Sequence, residues 1–208
     1  MTRIVEATSD GALLQAAEAI RKGGTIVYPT DTLYGIGADA LNPGAVRKVS
    51  LAKRRTEAKP ILLLIPNLDV LNSLVRDIPA SAQLLMKEFW PGPLTLVFNA
   101  LPHVPEELTR GTGTVGVRLP ANPLCIKLLE LCGCPLTSSS ANITGQPVHT
   151  TVGDIQGQLG DSIDLYLDAG MLQARVPSTV LDVSREAVTL VREGAISREQ
   201  IQKFIPLS

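Results

Sequence analysis

Five consecutive apolar residues, Ile61-Leu62-Leu63-Leu64-Ile65, stand in an otherwise mixed sequence. A run of that length with no polar position reads as a central strand, hidden on both faces. It is far too short to span a bilayer. Such a strand needs layers above and below it, and helical patterns elsewhere can supply them. Leu13, Ala16, Ala17 and Ile20 recur at helical spacing, predicting a helix over about residues 10–22 that Gly23-Gly24 ends. Asn42-Pro43 is a helix start, with Asn as cap and Pro in the first turn, and Ala45, Val46, Val49 and Ala52 form the inner face. Asn122-Pro123 repeats the device ahead of a helix over residues 124–132. Ala82, Leu85 and Phe89 mark another helix, and Val152, Ile155 and Leu159 one more. Near the end, Ser197 with Gln200 makes a capping box, and Ile196 with Ile201 the matching hydrophobic staple.

Strands are predicted over residues 25–28, 94–98, 114–119, 135–138, 163–167, 178–183 and 187–192. Several follow one another with no helix between, so the expectation is a twisted mixed sheet with flanking helices in an α/β fold. No repeat, low-complexity tract or linker divides the chain, and residues 1–208 are expected to form a single domain. Within 114–119, Val115, Val117 and Leu119 face one way while Thr114, Gly116 and Arg118 face the other. A glycine between a hydroxyl and a guanidinium suggests close approach of a ligand to that face. The polar, glycine-punctuated stretch Pro29-Thr30-Asp31-Thr32-Leu33-Tyr34-Gly35-Ile36-Gly37 reads as a loop leaving the end of a strand, where α/β proteins commonly place ligands.

The stretch before the apolar strand, Lys53-Arg54-Arg55-Thr56-Glu57-Ala58-Lys59-Pro60, concentrates cations. Lys53 and Arg55 would point about 200° apart in a continuing helix but share a face in an extended segment. If both serve one ligand, the helix must end near Ala52 or Lys53. Alone, this stretch reads as a solvated helix end. A net charge of −1 removes any general case for nucleic-acid binding, and 3% aromatic residues weaken base stacking. Three cysteines, Cys125, Cys132 and Cys134, have no Cys-x-x-Cys spacing and read as reduced core residues. The first residues lack the apolar segment of a signal peptide, so a cytoplasmic location is expected. His103 and His149 have no further ligands at metal spacing, and no protein-ligated metal is expected. Gly111-Thr112-Gly113-Thr114-Val115-Gly116 matches G-x-G-x-x-G but runs into a strand-like segment ending in Pro120, not a helix. No phosphate-binding P-loop and no Gly-x-Ser-x-Gly elbow is present.

Taken in order, the motifs resemble the YrdC-like family. They are Tyr28-Pro-Thr-Asp-Thr-Leu-Tyr-Gly-Ile-Gly, the Lys53-x-Arg55 pair before Lys59-Pro60, and Trp90-Pro-Gly-Pro-Leu-Thr. Val117-Arg118-Leu119-Pro120 with Asn122-Pro123, Ser140-Ala-Asn142 before Gly145 and Pro147, and Ser178-Thr-Val180 complete the set. The resemblance runs from about Gly23 to Gly194, and Lys-x-Arg combined with Ser-x-Asn is its specific part. Two positions depart from it, with Thr56 and Ser139 standing where family members commonly have proline. Longer members carry a second C-terminal domain, and this chain resembles the short form.

The resemblance implies a YrdC-like fold with its sheet and helices around an open cavity. It also implies a threonylcarbamoyl-AMP synthase, joining L-threonine, bicarbonate and ATP with release of pyrophosphate. That product serves N6-threonylcarbamoyladenosine formation in tRNA, so tRNA or other tRNA-modification proteins are further expected partners. Mg²⁺ would arrive with the nucleotide. By the same resemblance Lys53, Arg55, Ser140 and Asn142 carry catalysis, and Arg55, Lys59, Thr114, Ser140, Asn142 and Arg192 bind ATP. Thr32, Arg118, Ser138 and Ser178 match positions that hold threonine, and a guanidinium suits its carboxylate. Two alternatives stay open: a double-stranded RNA or tRNA-binding module without catalysis, and a carbamoyl-adenylate enzyme for another acceptor.

Overall fold

The computed structural model of the chain describes residues 3–55, 60–173 and 176–208. Chain order begins with β1 (Arg3–Glu6), α1 (Ala12–Arg21), β2 (Ile26–Tyr28), β3 (Gly35–Gly37) and α2 (Pro43–Ala52). It continues with β4 (Leu62–Leu64), α3 (Leu68–Asn72), α4 (Ala80–Phe89), β5 (Leu94–Asn99), α5 (Glu106–Thr109), β6 (Thr114–Arg118) and α6 (Pro123–Cys132). Then come β7 (Leu136–Thr137), β8 (Ser139–Ser140), α7 (Val152–Leu159), β9 (Leu165–Asp168), β10 (Thr179–Asp182), β11 (Thr189–Arg192) and α8 (Arg198–Gln202).

Helix starts follow their caps. The Asn42 side chain accepts from Gly44 N and Ala45 N at 3.0 and 3.2 Å, and Asn122 does the same for Leu124 N and Cys125 N. Ser197 and Gln200 close the expected capping box on α8. The inner face of α1 (Ala12, Ala16, Ala17, Ile20) packs against Cys125, Leu128, Leu129 and Cys132 of α6. Burial in that layer pushes the Cys132 thiol up to about 12 and leaves all three cysteines free and inert. Among the described residues no helix is long and apolar enough to cross a membrane.

The mixed sheet expected from sequence is divided into two. One has five strands in the order β1-β9-β2-β3-β8, the other six in the order β11-β10-β5-β6-β4-β7, and both mix parallel with antiparallel pairs. A single residue, Ser138, separates β7 in one sheet from β8 in the other. Its N–H donates to Leu62 O at 2.7 Å, so the crossing point is tied to the apolar central strand.

Pairing in the six-stranded sheet sorts its two faces. Leu63, Leu96, Phe98, Val115, Val117 and Leu181 belong to one continuous core, together with Ile61, Leu85 and Ile201. Fully burying each such side chain stabilises by about 1.5–3 kcal/mol. The alternate positions Thr95, Thr114, Gly116 and Arg118 therefore point to the other face. Register brings Val180 beside both Thr95 and Arg192, which extends that polar row to the edge strand β11. Gly116 has a different reason from the one its sequence position suggested. A Cβ there would lie 2.3 Å from Leu62 Cδ2 on the neighbouring strand, so a leucine side chain, not a ligand, fills the space above it.

Candidate active site

The described start of the basic stretch, Lys53–Arg55, is a turn. Helix α2 stops at Ala52, as the shared-ligand requirement demanded, and Arg54 takes a left-handed conformation with φ of 49°. Arg54 N and Arg55 N donate to Leu51 O and Ser50 O, both at 2.9 Å, closing the turn. The result rotates three successive cations differently. Lys53 is turned inward at 5% exposure, Arg54 is exposed, and Arg55 is half-buried with Nη2 donating to Pro60 O at 3.2 Å. Lys59 and Thr56 lie outside the described residues.

The Lys53 ammonium ends on the Ser140–Asn142 turn. It donates to Ser140 O at 2.5 Å, Asn142 O at 2.8 Å and Asn142 Oδ1 at 3.3 Å. Ser140 Oγ donates to the same Asn142 Oδ1 at 2.6 Å, while Asn142 Nδ2 donates to Ile143 O and Gln146 O. Thr144 N returns to Lys53 O at 2.9 Å. The structure thus joins Lys53, Ser140 and Asn142 into one unit, with the ammonium's three donors directed at the protein. Burial, and then the neighbouring Arg55 charge, lower the Lys53 pKa to about 8. Two hydroxyls close by in sequence, Ser139 Oγ and Thr144 Oγ1, are buried without a partner.

A second unit forms at the far end of β6. Arg118 is 4% exposed, and its guanidinium donates from Nε to Gly92 O at 3.0 Å and from Nη1 to Thr32 Oγ1 at 2.9 Å. Its Nη2 makes a close ion pair with Asp31 Oδ1. Thr30 Oγ1 donates to Leu33 O at 2.7 Å and lies 3.0 Å from Thr32 Oγ1, which leaves the Thr32 hydroxyl as donor to Thr30 and acceptor from Arg118. The loop between β2 and β3 is therefore folded around the arginine.

Arg192 and Ser178 adjoin this unit. Arg192 Nη2 donates to Ser178 O at 2.7 Å and to Ser178 Oγ at 3.2 Å, and Nε also reaches Ser178 O. Ser178 Oγ lies 2.9 Å from Thr95 Oγ1 on the polar sheet face. Although Arg192 is exposed as a residue, packing of its guanidinium and then the charge of Arg118 lower its pKa. Two guanidiniums thus share one face, close enough to repel. Ser138 lies at the crossing between the sheets, where its Oγ would be 3.3 Å from a Cβ at Gly35. Thr114 is at the opposite end of β6 from Arg118, four residues or roughly 13 Å away. The register Leu62↔Gly116 puts it beside the entry of residue 60 into β4, on the Lys53–Pro60 side. Its hydroxyl lies 2.9 Å from Thr112 Oγ1.

Asp31 and Thr95 are components of this arrangement that no motif assigned to a ligand. Asp31 sat in plain view within the Pro29–Tyr34 loop, and Thr95 was the polar member of an alternating strand. Neither has a sequence signal for its partner, because Arg118 is 87 positions from Asp31 and Ser178 is 83 from Thr95. Among the described residues no three His, Cys, Asp or Glu side chains gather as a metal site.

Comparison with known proteins places this geometry in a family. The Sua5/YciO/YrdC family model, which carries the description "Telomere recombination", matches residues 18–194. A threonylcarbamoyl-AMP synthase of Pyrococcus abyssi is 39% identical over 91% of the chain and 56% of its own length. One of Bacillus subtilis is 36% identical over 95% of the chain and 58% of its own length. The crystal structure of P. abyssi Sua5 complexed with L-threonine superposes with a TM-score of 0.92 at 36% identity, covering 99% of this chain and 61% of that one. The chain spans between 56% and 61% of the length of these three relatives. It belongs to the Sua5/YciO/YrdC family.

Proposed function

We propose that this chain is a threonylcarbamoyl-AMP synthase acting in the cytoplasm as a single α/β unit, its sheets and helices framing an open cavity. The amine of L-threonine adds to bicarbonate, giving a carbamate and water. A carbamate oxygen then attacks the α-phosphorus of ATP, and pyrophosphate leaves. No protein atom is joined to the substrate, so catalysis is positioning together with cationic stabilisation of phosphoryl charge.

The observation that carries this reading is the pair of guanidiniums, Arg118 and Arg192, held on one sheet face beside Thr32 and Ser178. Like charges held together favour an anion between or beside them. In this reading Arg118, Thr32, Ser138 and Ser178 hold threonine, the amino acid bound in the P. abyssi relative. Arg55, Lys59, Thr114 and Arg192 contact ATP, and Ser140 with Asn142 face the reacting phosphate. Lys53 fixes that Ser140–Asn142 turn and adds its charge from behind it. Mg²⁺ enters as part of the nucleotide substrate. The product is a reactive anhydride, consumed when tRNA adenosine is modified, with tRNA or its modification proteins as the receiving partners.

Burial of Lys53 removes one cation of the basic stretch from an RNA-docking surface, since phosphate contacts need exposed cations. The test is ATP–pyrophosphate exchange with threonine and bicarbonate varied separately. Exchange should require both. Exchange without threonine would point to another acceptor, and salt-dependent RNA binding without exchange to the docking module.

A further inference from the structure

The loop around Arg118 leaves one polar atom unexplained. Asp31 Oδ1 pairs with Arg118 Nη2, whereas Asp31 Oδ2 is buried and has no hydrogen-bond partner. The neighbouring hydroxyls are already directed elsewhere. Thr30 Oγ1 donates to Leu33 O, the Thr32 hydroxyl to Thr30, and the named N–H groups of Arg118 to Gly92, Thr32 and Asp31. A buried carboxylate oxygen with no partner is uncommon enough to need a reason. Asp31 retains 16% side-chain exposure, and its terminal torsion is broad, so a modest turn presents the free oxygen to an incoming group.

Two charges of opposite sign thus stand side by side. Arg118 has five N–H groups and three are used, which leaves donors for a carboxylate. Asp31 has one unused acceptor oxygen, which suits a cationic donor. A ligand that matches both at once carries a carboxylate and an ammonium a few bonds apart, which is the zwitterion of an α-amino acid. Resting on the threonine reading of this site, we propose that Asp31 receives the α-ammonium of the amino-acid substrate. By doing so it sets selectivity for amino acids over carboxylic acids that lack the amine. The carboxylate end alone does not give that selectivity, because Arg118 grips any carboxylate.

Calorimetric titration tests this with two ligands, L-threonine and 3-hydroxybutanoate, which keeps the carboxylate, hydroxyl and methyl but lacks the amine. Wild type should bind threonine at least about tenfold more tightly than the analogue, as expected for one charge-assisted contact. Asp31→Asn keeps an oxygen for Arg118 and replaces the unpaired one by an NH₂ group. It should lose that preference while binding the analogue within about threefold of wild type. Equal weakening of both ligands would mean that Asp31 serves only to hold Arg118, and would overturn the proposal, as would a preference that survives. Should Asp31→Asn fail to fold, wild type still decides, because equal affinity for the two ligands overturns it. Wild type that binds no threonine at all would remove the functional reading and this inference with it.

Discussion

Replacing Lys53 by methionine removes the ammonium while keeping a long apolar stem. At pH 7 the lysine is charged, since burial and Arg55 lower its pKa only to about 8. Holding that charge in the fold costs about 3 kcal/mol, from the difference between 10.5 and 8 at ~1.4 kcal/mol per unit. Three hydrogen bonds oppose that cost. Two of the acceptors keep another donor, because Ser140 O also accepts from Asn142 N and Asn142 Oδ1 from Ser140 Oγ. Among the described residues Asn142 O accepts only from Lys53. Orphaning it costs about 1–3 kcal/mol, and the two shared bonds about 1 kcal/mol each. The sum nearly cancels the charge relief, leaving Lys53→Met destabilised by about 0–2 kcal/mol and folded.

Function should not survive so well. Without the ammonium, Ser140 and Asn142 lose the anchor that orients them, and ATP–pyrophosphate exchange should fall by at least about 100-fold, the usual loss for a group stabilising phosphoryl or oxyanion charge. Urea unfolding and exchange kinetics on the same preparation check both halves. A folded variant with exchange within about tenfold of wild type would refute the role of the turn. A stability loss well above about 4 kcal/mol would instead make Lys53 a structural ion whose removal leaves the core unsatisfied.

Three further outcomes are expected. Exchange should decline with rising pH along a limb centred near 8, as Lys53 loses its proton. Its folded pKa lies below the ordinary 10.5, so the unfolded chain binds more protons between those values and the Lys53 contribution to stability rises with pH across that window. Rates that fall only where the melting temperature also falls would contradict this. Gly194→Ala places a Cβ 2.3 Å from Pro177 O and 2.6 Å from Ser178 C, both backbone atoms with little room to yield. It should cost about 2–3 kcal/mol and weaken threonine binding through Ser178, and an unchanged thermal midpoint would disprove the crowding. Ser139→Ala removes a buried hydroxyl without a partner, so urea unfolding should reveal no loss or a gain of up to about 1 kcal/mol. A clear loss would mean that the hydroxyl is bonded after all.

Legibility from sequence followed the range of the interactions. Caps at Asn42, Asn122 and Ser197 read directly, because each cap and its helix lie within a few residues. An end of α2 near Ala52 is expected only on the condition that Lys53 and Arg55 serve one ligand, and the turn that ends it depends on a left-handed Arg54 that no residue preference announces. Strand β1 and helices α3 and α5 escape a sequence reading, each being only four or five residues long with too little periodicity to register. Gly35–Gly37, expected as the end of a loop, is strand β3, because pairing with β2 and not local propensity extends it. The division into two sheets hinges on Ser138 alone, and pairing partners such as Leu62 and Gly116 are not local. That is also why the reason for Gly116 is hidden from the sequence, its neighbour being a leucine from another strand. Of the candidate site residues the motifs identified the side chains, while the contacts that orient them, from Lys53 to Ser140 or Arg118 to Asp31, span more than eighty positions.

The way the cations are held bears on what the site can do. Lys53 rests on Ser140 O and Asn142 O, Arg118 on Gly92 O, and Arg192 on Ser178 O. Carbonyl oxygens satisfy N–H groups without cancelling charge, so each side chain is fixed in place and its positive field remains available. Carboxylates in those positions would have fixed the side chains equally well and neutralised them. A chain with net charge −1 can therefore maintain a locally cationic site, and its overall charge says little about its ligands. Asp31 is the exception, the one carboxylate among the described hydrogen-bond partners of Lys53, Arg118 and Arg192. Its position at Arg118, away from the Lys53 turn, divides the site into a part suited to an ion of both charges and a part suited to polyanionic phosphate.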